Sequence, residues 1–101
     1  MIVADQPSAM QHIQLSVGSV IAGLLGLNVR MLALPVDEGR SLGEVLERLE
    51  KGSPGALLEP RTRLLRRHIH VRVNGCLESD LAHPLKAEDR VRVDLRMLEG
   101  G

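Results

Sequence analysis

The chain closes with Leu98-Glu99-Gly100-Gly101, and this ending holds the residues best suited to chemistry. Two residues without side chains form a thin arm that can enter a narrow active site, where the free carboxyl group of Gly101 would react. Ordering glycine costs conformational entropy, so a well-patterned domain that ends in this way suggests use by a partner. The alternative is a frayed end or a cloning scar, because terminal residues are commonly disordered.

Three other groups of reactive or charged residues do not form a recognisable site in the sequence. They are the histidines His12, His68, His70 and His83, the single thiol of Cys76, and a basic run of Arg61, Arg63, Arg66 and Arg67. No metal site is expected, because no carboxylate stands at a supporting spacing from the histidines. We interpret the thiol as a small apolar filler and the basic run as a solvated connector.

The composition is typical of one globular domain and favours neither nucleic acid nor a membrane as partner. Thirteen basic residues balance thirteen acidic ones among 101 residues, and Phe, Tyr and Trp are absent. The core must therefore be aliphatic, and stacking of nucleic-acid bases on aromatic rings is excluded. One cysteine cannot form an internal disulfide, and the apolar stretch at 17–27 is too short to span a bilayer. These features predict a cytoplasmic protein.

The hydrophobic pattern predicts several strands around one helix. Apolar and polar residues alternate at 13–17, 69–73 and 91–97, the period of strands with one buried face. Residues 29–36 also resemble a strand but are apolar on both faces, so either both faces are covered or one is an exposed patch. Residues 20–27, which contain two glycines, are interpreted as a loop or a short helical turn.

The helix is predicted from its cap and its apolar stripe. Ser41 is a good N-cap, and Glu44 three residues later completes a capping-box pattern. The stripe consists of Leu42, Val45, Leu46 and Leu49. Glu47, Arg48 and Glu50 are expected on the solvent side, and a second helical turn is expected at 56–58. The expected organisation is a flexible arm at 1–10, a domain at 11–97 and a mobile tail at 98–101.

The order of these elements and several short motifs resemble the ubiquitin-like β-grasp sulfur carriers. The motifs are Asn-Gly at 74–75, Pro-Leu-Lys at 84–86, the helix entry at 37–42 and the diglycine at 100–101. The family includes proteins similar to the small subunit of molybdopterin synthase and the thiamine-pathway sulfur carrier. The resemblance covers residues 11–101 and implies an α+β fold, a mixed sheet with one main helix packed across one face.

The resemblance implies that this chain is a substrate and carrier rather than an enzyme. An ATP-dependent activating enzyme would adenylate Gly101, with Gly100 as the thin spacer that lets it reach ATP. Attack by sulfur would then give a thiocarboxylate for a biosynthetic enzyme. ATP and Mg²⁺ would belong to the partner, and no cofactor would be bound by this chain.

Docking to that partner is expected on the sheet face away from the helix and along the strand that leads to the tail. The candidate residues are Arg72, Arg90, Arg92, Arg96, Leu98 and Glu99. A basic stripe of the four arginines would attract an acidic groove, although alternating charge is also typical of a solvated face. Leu98 is the stronger single candidate for contact, whereas Glu99 is interpreted as a solubilising residue.

Two other functions remain open from the sequence. A protein modifier would use the same activation but become joined through Gly101 to lysines of target proteins. A non-catalytic β-grasp interaction domain would tolerate loss of Gly100 and Gly101. A neighbouring sulfurtransferase gene would favour the carrier, and a conjugating enzyme with an isopeptidase would favour the modifier.

Overall fold

The structure, a computed structural model, describes residues 11–95. Its elements in chain order are β1 (His12–Val17), α1 (Ser19–Leu25), β2 (Met31–Pro35), a 3-10 turn (Val36–Glu38), α2 (Leu42–Leu49), β3 (Ile69–Val73), β4 (Cys76–Leu77) and β5 (Arg90–Leu95). The predicted arm at 1–10 and tail at 98–101 lie outside the described residues, as do residues 96 and 97. Within the described part, neither helix has the length and apolar character needed to cross a membrane.

The strands form one mixed sheet in the order β2-β1-β5-β3-β4. β1 and β5 are parallel, and the other neighbouring pairs are antiparallel. The first and last described strands therefore lie side by side in the interior of the sheet. This α+β arrangement confirms the predicted fold class.

Alternation along the strands separates a core face from an open face, as the sequence predicted. On the core face, Ile13, Leu15, Val71, Val91 and Val93 are each at most 3% exposed. The apolar stripe of α2 packs into the same cluster, so α2 covers this face of the sheet. The opposite, open face presents the polar strand residues, among them Gln14, Arg72, Arg90 and Arg92.

The start of α2 is fixed by hydrogen bonds that the sequence predicted in part. The Oγ of Ser41 accepts from the N–H of Glu44 at 3.3 Å, as expected for an N-cap. The Oε1 of Glu44 accepts from the N–H of Arg40 at 2.9 Å, one residue before the position that a standard capping box uses. The N–H of Leu42 donates to the carbonyl of His83, which ties the helix to the loop before β5.

Two expectations after α2 are wrong, and both errors involve Glu50. This residue was predicted on the solvent side but is only 4% exposed. Its Oε1 accepts from the N–H groups of Leu57 at 2.8 Å and Leu58 at 3.0 Å. Residues 56–58 form no helical turn, because the N–H groups of Leu57 and Leu58 donate to the Glu50 carboxyl group and both leucines enter the core. Glu50 is the C-cap of α2, so helical periodicity no longer fixes its direction.

The segment interpreted as a loop or short turn forms α1, a seven-residue helix. Gly26 adopts φ 71°, and the N–H groups of Gly26 and Leu27 bond back to the carbonyls of Gly23 and Ala22. This left-handed ending is a common way to terminate a helix, and glycine adopts it without strain.

The Asn-Gly prediction is confirmed. Asn74 and Gly75 have φ values of 53° and 88° and connect β3 to β4 in a tight hairpin. The Nδ2 of Asn74 donates to Asp89 at 3.0 Å, and its Oδ1 accepts from the N–H of Arg90 at 3.0 Å. The hairpin is thereby tied to the start of β5.

The apolar strand at 29–36 corresponds to β2, which lies at one edge of the sheet. Leu32 and Leu34 pack against the core, whereas Met31 is 73% exposed and Ala33 is also exposed. The sequence left open whether both faces of this strand are covered or one is exposed. The structure shows that the face with Met31 and Ala33 is exposed.

We expect Glu50→Ala to lower the free energy of unfolding by about 2–6 kcal/mol, because two buried N–H groups lose their acceptor at roughly 1–3 kcal/mol each. Glu50→Gln keeps an acceptor oxygen and should therefore lower the free energy of unfolding clearly less than Glu50→Ala does. Urea denaturation of the two variants measures the difference. Equal losses for both would show that the two hydrogen bonds do not stabilise the 50–58 segment.

Candidate functional site

Five residues form one row across the open face, one from each strand. The pairing register places Met31, Ser16, Arg92, Arg72 and Leu77 beside one another in the order of the strands. The two end residues are exposed apolar side chains, at 73% and 60%. The centre of the row is positively charged, so this face combines apolar edges with a basic middle.

The structure brings together three of the predicted docking residues. Arg72 on β3 and Arg92 on β5 are direct partners in the antiparallel ladder, and Arg90 pairs with Gln14 on β1. Like charges that face each other across strands repel, so this pair does not stabilise the ladder. The remaining candidates Arg96, Leu98, Glu99, Gly100 and Gly101 lie outside the described residues.

Asp94 interrupts the predicted basic stripe. The Nε of Arg92 donates to the Oδ2 of Asp94 at 2.7 Å, and its Nη2 donates to Oδ1 at 3.2 Å. This bidentate pair compensates the charge of Arg92 on the open face. The sequence analysis did not predict this pairing, although a spacing of two in a strand puts both side chains on one face and was the available signal.

The carboxyl group of Asp94 also lies against Gly18, where α1 begins. A Cβ added to Gly18 would lie 2.5 Å from the Oδ1 of Asp94, so only glycine leaves space for the carboxylate in this position. The N–H of Gly18 donates to the carbonyl of Val93 at 2.9 Å. The end of β5 is therefore held against the start of α1, immediately before the chain continues to residue 96.

A groove of about 480 Å³ lies at this end of the sheet. Its walls are the start of α1, including Val20, the outward side chains of His70 and Arg72 on β3, and the last residues of β5, Asp94 and Leu95. The groove is thus adjacent to the last described residue of β5.

The other groups considered in the sequence do not assemble into a site. Among residues 11–95, no group of three or more His, Cys, Asp or Glu side chains is placed to hold a metal ion. The interpretation of Cys76 as a buried filler is wrong, because it lies on the short edge strand β4 and is exposed.

The basic connector is fixed by contacts within the fold. The Nη2 of Arg63 lies 2.7 Å from the Oε2 of Glu47, and the Nε of Arg66 donates to the carbonyl of Gly55 at 2.6 Å. The N–H of Thr62 donates to the Glu59 carboxylate and lowers the pKa of that group below its ordinary value. These contacts support the interpretation of the run as a connector.

We expect Gly18→Ala to displace Asp94 and break its pair with Arg92, at a cost of up to about 1 kcal/mol for a partly exposed pair. The backbone itself tolerates alanine, because Gly18 has φ −67° and ψ 161°. When Asp94 is already replaced by alanine, Gly18→Ala should therefore leave the free energy of unfolding unchanged. Thermal unfolding of the two single variants and the double variant measures this difference. An equal loss of stability from Gly18→Ala with and without Asp94 would contradict the predicted contact between Gly18 and Asp94.

Several solved structures share this architecture over nearly their whole length. Small archaeal modifier protein 1 from Methanosarcina acetivorans matches with a TM-score of 0.70 and 19% identity, covering 90% of this chain and 98% of that one. Urm1 from Trypanosoma brucei matches with a TM-score of 0.67 and 24% sequence identity, covering 89% of this chain and 96% of that one. SAMP1 from Haloferax volcanii matches with a TM-score of 0.66 and 24% sequence identity, covering 89% of this chain and 99% of that one.

No family model matches the chain, and no curated protein matches it. The structural matches are too distant in sequence to show more than the fold. Together with the five-stranded mixed sheet and the helix across its core face, they confirm the fold that the sequence motifs implied: the chain is a ubiquitin-like β-grasp domain.

Proposed function

We propose that this chain is a ubiquitin-like sulfur carrier that reacts through the carboxyl group of Gly101. The observation that carries the proposal is the position of β5. This strand is the middle one of five and is bonded on both sides, so its end is firmly held. From that end the sequence continues through residues 96–99 to Gly100 and Gly101. A rigid strand followed by a thin segment suits delivery of a reacting group into a partner's active site.

The proposed chemistry needs activation because a carboxylate is a poor electrophile. In the activating enzyme, a carboxylate oxygen of Gly101 would attack the α-phosphorus of ATP and release pyrophosphate. Hydrosulfide supplied by the partner system would then attack the acyl carbon and expel AMP, and loss of the S–H proton leaves a thiocarboxylate. The partner supplies the catalytic groups, ATP and Mg²⁺, and this chain supplies the acyl group. Because the reaction consumes ATP, the proposal places the chain in the cytoplasm.

The open face would serve as the docking surface in this proposal. Arg72 and Arg90 present positive charge there, whereas the charge of Arg92 is compensated by Asp94. An acidic surface on the activating enzyme would be attracted to this face and oriented by it. Leu98 would add an apolar contact close to the reacting end, and Arg96 and Glu99 are the remaining candidates.

A protein modifier is the second candidate, because two of the similar structures are named as modifier proteins. It would share the adenylation step, after which an enzyme cysteine and then a target lysine would take the acyl group. The two proposals differ in the final acceptor: sulfur in a small-molecule pathway, or a lysine of a protein.

We expect removal of Gly100 and Gly101 to abolish the exchange of pyrophosphate into ATP that the activating enzyme of the same organism catalyses with this chain. Gly100→Val should also reduce the exchange strongly, because a branched side chain widens the segment that must enter the site. Lys51→Gln is the control, because Lys51 is exposed just after α2 and does not line the groove beside Leu95; it should leave the exchange intact. Undiminished exchange without the two glycines would refute both the carrier and the modifier.

A further inference from the structure

Helix α1 exposes apolar side chains beside the end of β5. The helix contains no charged residue, and it buries Ile21, Ala22 and Leu25. Val20 and Leu24 are 55% and 50% exposed, and residues four apart lie on the same face of a helix. A single exposed apolar residue is ordinary, but an apolar pair on an uncharged helix is typical of a contact surface.

This pair is continuous with the groove next to Leu95. Val20 lines the groove, and Leu24 lies one turn further along the same face of α1. On the opposite wall, Arg72 has no side-chain hydrogen bond or ion pair with any described residue. Asp94, the acidic residue of the groove, is already paired with Arg92. The groove therefore combines an apolar wall with a positive charge that no residue among 11–95 pairs with.

We propose that Val20 and Leu24, together with Arg72, form the surface on which the activating enzyme docks. The inference rests on the proposed function, in which the reacting carboxyl group belongs to Gly101. Six residues separate that group from Leu95, a reach of at most about 20 Å in extended chain. An enzyme that encloses the group must therefore cover the surface around Leu95. The matching surface has apolar side chains against α1 and an acidic residue against Arg72.

Pyrophosphate exchange at varied concentrations of the carrier tests this surface. Val20→Lys and Leu24→Lys should each raise the KM for the carrier about tenfold or more, because they place a charge in a desolvated apolar contact. The kcat should change less than about twofold, since the reacting segment is untouched. Leu64→Lys is the matched control, because Leu64 is 61% exposed on the connector and does not line the groove. It should leave both constants unchanged.

The outcomes separate this inference from the function on which it rests. An unchanged KM for Val20→Lys and Leu24→Lys, with normal exchange by the unaltered chain, overturns the docking surface alone. Absence of exchange with the unaltered chain overturns the proposed function and the docking surface together. A change in oligomeric state with unchanged KM would assign the apolar pair to contact between two copies and would also overturn the inference. Circular dichroism checks that each variant is folded.

Discussion

The parallel pairing of β1 with β5 is the interaction on which the remaining structure depends. It brings residues near the two ends of the described chain into the interior of one sheet, where Val17 and Val93 are almost fully buried. Closing so long an intervening segment is entropically costly, and burial of aliphatic side chains against α2 offsets the cost. Val93 pairs with both β1 and β3, and Asp94 and Leu95 pair with β3, so the chain that follows Leu95 leaves from the middle strand of the sheet.

Because α2 covers only one face of the sheet, the residues that stabilise the fold are separate from those that we propose to contact a partner. The core face holds the aliphatic cluster, so substitutions there act on folding. The open face holds Arg72, Arg90 and Arg92, which contribute little to the core and are available for contact. Asp94 belongs to both groups of residues, because it compensates the charge of Arg92 on the open face and also lies against Gly18 at the start of α1. Charge on this face is thus distributed unevenly, with Arg72 left nearest the groove.

Much of the fold could be predicted from the sequence because its signals are local. The cap at Ser41, the stripe of α2, the alternation in β1, β3 and β5 and the turn at 74–75 each depend on residues a few positions apart. Helix α1 was harder to predict, since an uninterrupted apolar run with two glycines shows no period. Burial of Glu50 could not be predicted, because its partners at 57 and 58 are brought to it by tertiary packing. The arginines of the candidate site followed from strand alternation, but the apolar pair on α1 did not.

The intact mass of the chain, purified from its native host and after incubation with Mg-ATP and the activating enzyme, tests the central claim most directly. The account predicts a mass gain equal to the replacement of one oxygen by sulfur, located on Gly101 by fragmentation. Larger species joined through Gly101 to lysines would instead establish a protein modifier. An unmodified mass under every condition would contradict the account and leave a β-grasp binding domain.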